Sequence, residues 1–213
     1  MKKILNKYKI FATDKRALYS LVFSFVLLAV SLVINSYAGS YAAREASNSV
    51  NDILLSNIPP FDVGWIFIFG PFVLWALVAV LLAKDPKKIA FTIKSIALFV
   101  VIRSVFTSLT HIGPFPTQVV LDSDFIKKFT SGSDLFFSGH TGLPFLMALV
   151  FWKDKKLRII FFLSAVLFGI VVLLAHLHYS IDVLSAFFIT YSIYKIAEIW
   201  FKKDKELFDS NDN

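Results

Sequence analysis

Two histidines in this 213-residue chain stand beside residues that can make them reactive. His178 precedes Asp182 by four positions, so on a helix that begins near His178 the carboxylate lies one turn below the imidazole. A hydrogen bond between them fixes the tautomer and leaves the other ring nitrogen as a nucleophile. The spacing therefore predicts a histidine nucleophile that is oriented by a carboxylate.

The second candidate is His140, which follows Ser138 and Gly139 at a predicted helix N-terminus. Free backbone amides and the helix dipole favour an anion at such a place. A histidine beside that anion can protonate a departing oxygen. Residues 138–140 therefore predict an anion-binding turn that carries a general acid.

The elements that must position these histidines are membrane helices. With 57% hydrophobic residues, 24 Phe and a mean hydropathy of +0.70, most of the chain needs hydrocarbon as its solvent. Five apolar runs have the roughly 20 residues needed to cross a bilayer, and a sixth is shorter. They cover residues 17–37, 64–83, 89–110, 158–176 and 181–200, with the short one over 138–152. We predict an all-α polytopic membrane protein with a six-transmembrane-helix bundle, a single domain over residues 1–213 and polar cytoplasmic tails at 1–16 and 201–213.

Basic residues determine the predicted orientation. Lys and Arg crowd both tails and the second and fourth loops, whereas the other loops hold mostly Asp and Glu. The positive-inside bias places both termini in the cytoplasm and both histidine motifs outside, in what we expect to be a bacterial plasma membrane. The same distribution assigns the net charge of +7 to a membrane surface rather than to nucleic acid. The absence of Cys excludes disulfides, thiolate metal sites and cysteine nucleophiles.

Arg103 is the third ionisable residue predicted near the histidines. Helical rise, counted inward from the cytoplasmic ends of the two helices, puts His140 about 18 Å and Arg103 about 21 Å deep, at one level. A buried guanidinium there is suited to hold an anion. The alternative is a structural pair with a loop carboxylate such as Asp62 or Asp134. Lys94, on the same helix, is expected to extend its ammonium to the cytoplasmic face.

Other arrangements of the same residues predict other functions. A small transporter or channel would use Arg103, Asp182 and the histidines as a relay. A metal hydrolase would use four ligands: His140, His176, His178 and Asp182. His176 is six residues from Asp182 and off its helical face, so we expect His176, like His111, to be an interfacial residue instead.

Four segments of the chain resemble, in order, the signature motifs of a known family. They are Pro59-Pro60-Phe61-Asp62; residues 102–109 with Pro114-Phe115-Pro116; Ser133-Asp134-Leu135-Phe136-Phe137-Ser138-Gly139-His140-Thr141; and Ala175-His176-Leu177-His178-Tyr179-Ser180-Ile181-Asp182-Val183. The third and fourth resemble the motifs of sphingomyelin synthases and their relatives, a branch of the type-2 phosphatidic acid phosphatase superfamily. The likeness runs over residues 59–196, the predicted core of the enzyme.

The resemblance implies six membrane helices and an exoplasmic triad of His140, His178 and Asp182, working through a phosphohistidine intermediate without metal or other cofactor. The candidate substrate- and phosphate-binding residues are Arg103, Ser138, Gly139 and Asp134. Two positions depart from the broader phosphatase pattern, and the sphingomyelin synthase branch shares both departures. Phe137 stands where the phosphatases carry Pro, and Val172 stands where they carry Arg.

We therefore predict a membrane lipid phosphotransferase or phosphatase that acts on phospholipid head groups. His178 attacks phosphorus, His140 protonates the departing lipid alcohol, and the phosphoryl group passes to another lipid alcohol or to water. A lipid phosphate phosphatase that hydrolyses phosphatidic acid or polyprenyl pyrophosphate is the alternative enzyme. The expected partners are a membrane phospholipid and a lipid alcohol acceptor.

Overall fold

Helix is the main secondary structure in the part of the chain that the structure describes. The computed structural model describes residues 2–119 and 135–210; helix accounts for 76% of it, and no strand occurs among those residues. The predicted all-α class is therefore confirmed. The eight α-helices in the described ranges are α1 (Lys2–Thr13), α2 (Lys15–Arg44), α3 (Gly64–Lys84), α4 (Ile89–Leu109), α5 (Gly139–Val150), α6 (Lys155–Leu174), α7 (Ser180–Trp200) and α8 (Lys202–Asp209).

Five of these helices are long and apolar enough to cross a membrane, namely α2, α3, α4, α6 and α7. The predicted sixth span corresponds to α5, which has 12 residues and is therefore about 18 Å long, short of the roughly 30 Å of hydrocarbon. Most residues of α5 are buried because it packs between α6 and α7. Its apolar sequence serves the protein core rather than a lipid-facing crossing, so the count of six spans is not confirmed.

Helix α2 packs chiefly against α4, and a stripe of small residues makes this contact. Its five buried residues are Ala17, Ser24, Ser31, Ala38 and Ala42, the first four of them seven positions apart. Small side chains let two helix backbones approach closely in lipid. The hydroxyls of Ser24 and Ser31 donate to the carbonyls of Leu21 and Leu28 within the helix, so burial leaves neither unsatisfied. The other faces of α2 remain available to lipid.

Two aspartates start the helices that follow the basic segments. Asp14 accepts hydrogen bonds from the backbone amides of Arg16 and Ala17 at the start of α2. Asp154 accepts them from Lys156 and Leu157 at the start of α6. Such caps satisfy amides that have no partner inside the helix. They set where α2 and α6 begin, at the end of the bundle opposite to His178.

Lys94 forms a buried ion pair that the sequence analysis did not predict. Its ammonium donates to Asp204 Oδ2 and to Ser20 Oγ, both at 2.6 Å, and the residue is only 6% exposed. Asp204 belongs to α8, so the segment predicted as a polar tail folds back onto α4. Lys94 thus extends toward the end of the bundle expected from the sequence, but it ends there in a buried ion pair, because α8 supplies a carboxylate and an unpaired charge at this depth would be costly.

Candidate functional site

The pair predicted from the four-residue spacing forms at the start of α7. His178 Nδ1 lies 3.1 Å from Asp182 Oδ2, and the same oxygen accepts the backbone N–H of Tyr179 at 3.0 Å. Asp182 is fully buried and His178 is 7% exposed. An ionised carboxylate only accepts hydrogen bonds, so a hydrogen bond to it requires the tautomer with the hydrogen on Nδ1, and in that tautomer the lone pair is on Nε2. The arrangement orients Nε2 as the nitrogen that can attack.

A backbone hydrogen bond joins the two histidine motifs. Ser138 donates its N–H to the carbonyl oxygen of Asp182 at 3.0 Å. Ser138 also caps α5, since its hydroxyl oxygen accepts the N–H of Thr141 at 3.4 Å. The N-terminus of α5 and the first turn of α7 are thereby held side by side. His140 and His178, separated by 38 positions in sequence, are thus brought to one end of the bundle.

His140 is half-buried and lies between aromatic rings. Its imidazole stacks on Phe67 of α3, with centroids 4.0 Å apart and planes 20° from parallel, and meets Phe168 of α6 edge-on at 6.4 Å. These contacts restrict the ring to one orientation. Phe67 is a site residue that the sequence analysis missed, because no spacing rule links α3 to α5.

Arg103 lies directly against the turn that the sequence predicts to bind an anion. Its Nε donates to the carbonyl oxygen of Phe137 at 3.2 Å. A Cβ added at Gly139 would stand 3.3 Å from Nε, which is tighter than most real contacts, and 3.7 Å from Cζ, which is an ordinary contact distance. A larger residue at 139 would therefore require the Arg103 side chain to move by a few tenths of an ångström. The structure brings Arg103 beside the residues that the depth estimate placed at its level.

The two departures from the phosphatase pattern have a structural reason. Phe137 adopts φ 45° and is fully buried, with its ring edge-on to Phe99 at 5.1 Å. Proline is restricted to φ near −65°, so it does not fit this backbone conformation. Val172 is also fully buried, in a small apolar cluster with Phe67 and Val183, where an arginine would have no room to be solvated.

His176 has a different environment from His178. It adopts φ 53°, is 1% exposed, and its Nδ1 lies 2.6 Å from the hydroxyl of Thr117, with Phe115 edge-on at 5.4 Å. It is thus packed into the protein rather than interfacial as expected. Among the residues that the structure describes, no group of three or more His, Asp or Glu side chains is arranged to hold a metal ion.

Asp52 is a second residue that sequence reasoning missed. Its Oδ2 accepts the backbone N–H of Ser180 at 2.7 Å and the Ser180 hydroxyl at 2.8 Å, while Oδ1 accepts the amides of Leu54 and Leu55 at 2.9 and 3.1 Å. Asp52 is 7% exposed and stands 128 positions from Ser180. A carboxylate from a distant loop therefore caps the helix that carries Asp182.

The hydrogen bonds to Asp52 outweigh its burial. Burial raises the pKa of this carboxyl, but the N–H and O–H of Ser180 and the amides of Leu55 and Leu54 favour the ionised form and bring the pKa below its ordinary value. Asp52 is thus a negative charge at the N-terminus of α7, the end at which the helix dipole stabilises an anion.

Tyr179 ties the same turn to two loops. Its hydroxyl donates to the carbonyl of Gly113 at 2.8 Å and accepts the N–H of Val50 at 3.2 Å, and the residue is almost fully buried. The loops are also bonded to each other, since Ser47 donates its N–H to the carbonyl of His111 at 2.7 Å. Tyr179, the residue next to His178, is therefore held by hydrogen bonds to two loops.

Asp62, one of the predicted carboxylates, makes its hydrogen bond at another helix. Asp62 accepts the N–H of Gly64 at 3.2 Å and so helps to start α3. Asp134, predicted as a substrate-binding residue, lies outside the described residues. The residues that the structure brings together are Arg103, Ser138, Gly139 and His140 at the start of α5, and His178 and Asp182 at the start of α7.

Comparison with known families bears on this site. A family model described as PAP2 superfamily C-terminal matches residues 132–199, a segment that contains both histidine motifs. No curated protein and no solved structure is significantly similar to the chain. The matched segment, together with several apolar helices, supports an integral membrane enzyme of the type-2 phosphatidic acid phosphatase superfamily, whose members are phosphatases and phosphotransferases.

Proposed function

We propose that this protein is a lipid phosphotransferase of the sphingomyelin synthase type, which moves a phosphorylated head group from a phospholipid to a lipid alcohol. The observation that carries the proposal is the His178 Nδ1 to Asp182 Oδ2 contact of 3.1 Å, held beside the Ser138 turn by a backbone bond. A phosphohistidine mechanism requires two parts: a histidine oriented as the nucleophile and a turn that binds the phosphate anion.

The first half-reaction begins with His178. Its Nε2 attacks the phosphorus of the bound phospholipid, forming an N–P bond, while the bond from phosphorus to the lipid alcohol oxygen breaks. His140 donates a proton to that oxygen, so the leaving group departs as a neutral alcohol. Asp182 stabilises the positive charge that His178 gains when Nε2 bonds to phosphorus.

The second half-reaction reverses these roles. The hydroxyl of the acceptor gives its proton to His140, which is now the base, and its oxygen attacks phosphorus as the N–P bond breaks. His178 returns to its neutral form and the head group is on a new alcohol. If water replaces the acceptor alcohol, the result is hydrolysis. A transferase and a phosphatase would therefore use the same catalytic side chains.

The charge on the transferring group has two sets of partners in this proposal. The Arg103 guanidinium lies against Gly139, and the free amides of the α5 N-terminus point away from the helix toward the same place. A phosphate held there would face both histidines. Arg103 carries this role without a second arginine, since Val172 occupies the position at which the phosphatases have one.

Burial favours transfer over hydrolysis. His178 is 7% exposed and Tyr179, the next residue, is 1% exposed, so water has little access to the attacking nitrogen. Phe137 and Val172, the departures shared with the sphingomyelin synthase branch, are both fully buried and fit this backbone. Hydrolysis of phosphatidic acid or polyprenyl pyrophosphate remains the second candidate because the first half-reaction is common to both.

The proposal is tested with purified protein in detergent and a panel of head-group-labelled phospholipids, with and without ceramide or diacylglycerol. A new labelled lipid that appears only with the acceptor supports the transferase. Water-soluble label with no new lipid identifies a phosphatase. Absence of any product, with wild-type protein shown to be folded, contradicts an enzyme of this class and favours the transporter. Activity that disappears with a strong chelator revives the metal hydrolase.

A further inference from the structure

A cavity of about 750 Å³ opens at the end of the bundle opposite to the histidines. The start of α2, the end of α7 and the first turns of α8 form its walls, and the Lys94–Asp204 pair also lines it. The function proposed above uses none of these residues. The cavity is large enough for a phospholipid head group with the first part of its acyl chains.

The rim of this cavity is cationic. Arg16, Lys202 and Lys203 line it and are exposed, whereas the two carboxylates that also line it are already engaged. Asp14 accepts two backbone amides as the cap of α2, and Asp204 is paired with Lys94. Within the described ranges, the ion pair of Lys202 with Glu206 at 3.9 Å is the sole one formed by these three rim residues. The rim therefore has positive charge left for an anion.

The wall of the cavity is apolar and aromatic. Phe23 and Leu207 line it together with Trp200, which is 68% exposed at the end of a helix long enough to span a membrane. Tryptophan at such a place sits at the level of lipid head groups. A ligand that matches both parts needs an anionic group at the rim and hydrocarbon along the wall.

We propose that this cavity binds a phospholipid with an anionic head group, taken from the leaflet opposite to the histidine site. Arg16 and Lys203 hold the phosphate, and Phe23 and Trp200 contact the glycerol and upper acyl chains. Basic pockets at the ends of membrane helices recognise lipids in this way, with each basic residue contributing about a fivefold preference for the anionic lipid. Bound lipid would join α2, α7 and α8 at their ends.

Trp200 makes the site measurable. Purified protein is reconstituted in vesicles of phosphatidylcholine that contain an equal amount of phosphatidylglycerol, with bromine on the acyl chains of one lipid or the other. Brominated lipid quenches the fluorescence of a tryptophan that it touches. The difference in quenching between wild-type protein and Trp200→Phe therefore measures the lipid in contact with Trp200 at the cavity. We expect brominated phosphatidylglycerol to quench this part several-fold more strongly than brominated phosphatidylcholine.

Two paired substitutions distinguish lipid binding in the cavity from general attraction of lipid to the charged protein surface. The variant Arg16→Gln with Lys203→Gln should reduce the preference for phosphatidylglycerol at Trp200 by about tenfold or more. The variant Lys155→Gln with Lys156→Gln removes the same charge from exposed residues at the same end of the bundle but outside the cavity, and should change it by less than about twofold. All four side chains are exposed, so both variants should fold.

Three outcomes would overturn the proposal. Equal loss of preference in the two paired variants means diffuse attraction to the membrane surface. Equal quenching by the two lipids in wild-type protein means that the cavity does not select charge. Relief of the quenching by millimolar inorganic phosphate means that the rim binds a free anion rather than a lipid.

Discussion

The two ends of the helix bundle both bury carboxylates but balance them differently. At the histidine end, Asp182 and Asp52 accept hydrogen bonds from backbone amides, a hydroxyl and an imidazole, none of which needs to be a cation. At the opposite end, Asp204 faces the ammonium of Lys94 at 2.6 Å. One end therefore keeps negative charge beside a histidine, whereas the other cancels its charge.

This difference suggests that the carboxylates at the two ends have different roles, one in catalysis and the other in stability. A carboxylate that is balanced only by dipoles can stabilise the positive charge that its histidine acquires when Nε2 becomes bonded. A carboxylate that is paired with a lysine has no charge left to offer, but it joins two elements of the fold. Substitutions at the histidine end should lower turnover, and those at the Lys94 end should lower the free energy of unfolding.

The largest effect is expected at the histidines. His178→Ala removes the attacking nitrogen and His140→Ala removes the proton donor, and each should lower turnover by about 10⁴-fold or more. His176→Ala is the matched control because His176 is buried nearby but contacts Thr117 instead of Asp182. It should keep most of the activity per folded molecule. Equal loss at residues 176 and 178 would remove the distinction between them.

The next largest effect is expected at Lys94. Lys94→Ala leaves Asp204 buried without its cation, which should cost about 3–5 kcal/mol of unfolding free energy. Turnover per folded molecule should stay close to wild type, because Lys94 lies at the other end of α4 from Arg103. Thermal unfolding in detergent measures the loss of stability, and an activity assay on the same samples measures turnover. The double variant Lys94→Met with Asp204→Leu should recover much of the stability.

A smaller effect is expected at Arg103. A guanidinium can hold two phosphate oxygens at once, whereas an ammonium offers a single point of charge. Arg103→Lys should therefore lower kcat/KM by at least about tenfold, or about 1.4 kcal/mol of transition-state stabilisation. Arg158→Lys is the matched control, since Arg158 stacks over Trp152 at 4.6 Å on the opposite end. Full activity of Arg103→Lys would show that the phosphate lies elsewhere.

The smallest effect is expected at Asp52, which caps α7 through Ser180. Asp52→Asn weakens the cap on Ser180 and should cost about 1 kcal/mol of stability, with a loss in kcat of about fivefold at most. Asp62→Asn is the control, because Asp62 accepts the amide of Gly64 at the start of α3 rather than α7. It should lower stability by a similar amount and leave kcat unchanged.

The stability conferred by Asp52 also has a defined pH dependence. Its pKa in the folded protein is below the ordinary value, so the unfolded chain binds the proton more readily. The stabilisation is complete above the unfolded pKa of about 3.9 and is lost as the pH falls through the lower, folded value. The difference in unfolding temperature between wild type and Asp52→Asn should be constant from pH 7 to 6 and shrink below about pH 4.

Local spacing predicted the parts of this site that local geometry determines. The four-residue interval between His178 and Asp182 predicted their hydrogen bond, because helix periodicity fixes which side chains meet. The apolar runs predicted five helices, since length and hydropathy decide whether a segment can cross lipid. Helical rise placed Arg103 near the turn at residues 138–140, because the rise per residue along a helix is constant.

Contacts between distant segments were not predictable in this way. Asp52 meets Ser180 across 128 positions, and Phe67 stacks on His140 from another helix, so only the folded chain shows either contact. Lys94 was expected to extend to the cytoplasmic face because its distance from the helix end allows it. Its pairing with Asp204 of α8 was not predicted, because depth along one helix cannot reveal which distant segment lies over that helix.

The stripe of small residues on α2 has a consequence for synthesis of the protein. A ribosome completes α2 well before α4, the helix against which this stripe packs. Until then the buried stripe of α2, which includes Ser24 and Ser31, has no α4 to pack against. Their hydroxyls donate to carbonyls of the same helix, so neither hydroxyl depends on α4 for its hydrogen bond. Serine at these two positions thus suits a helix that is made before its partner.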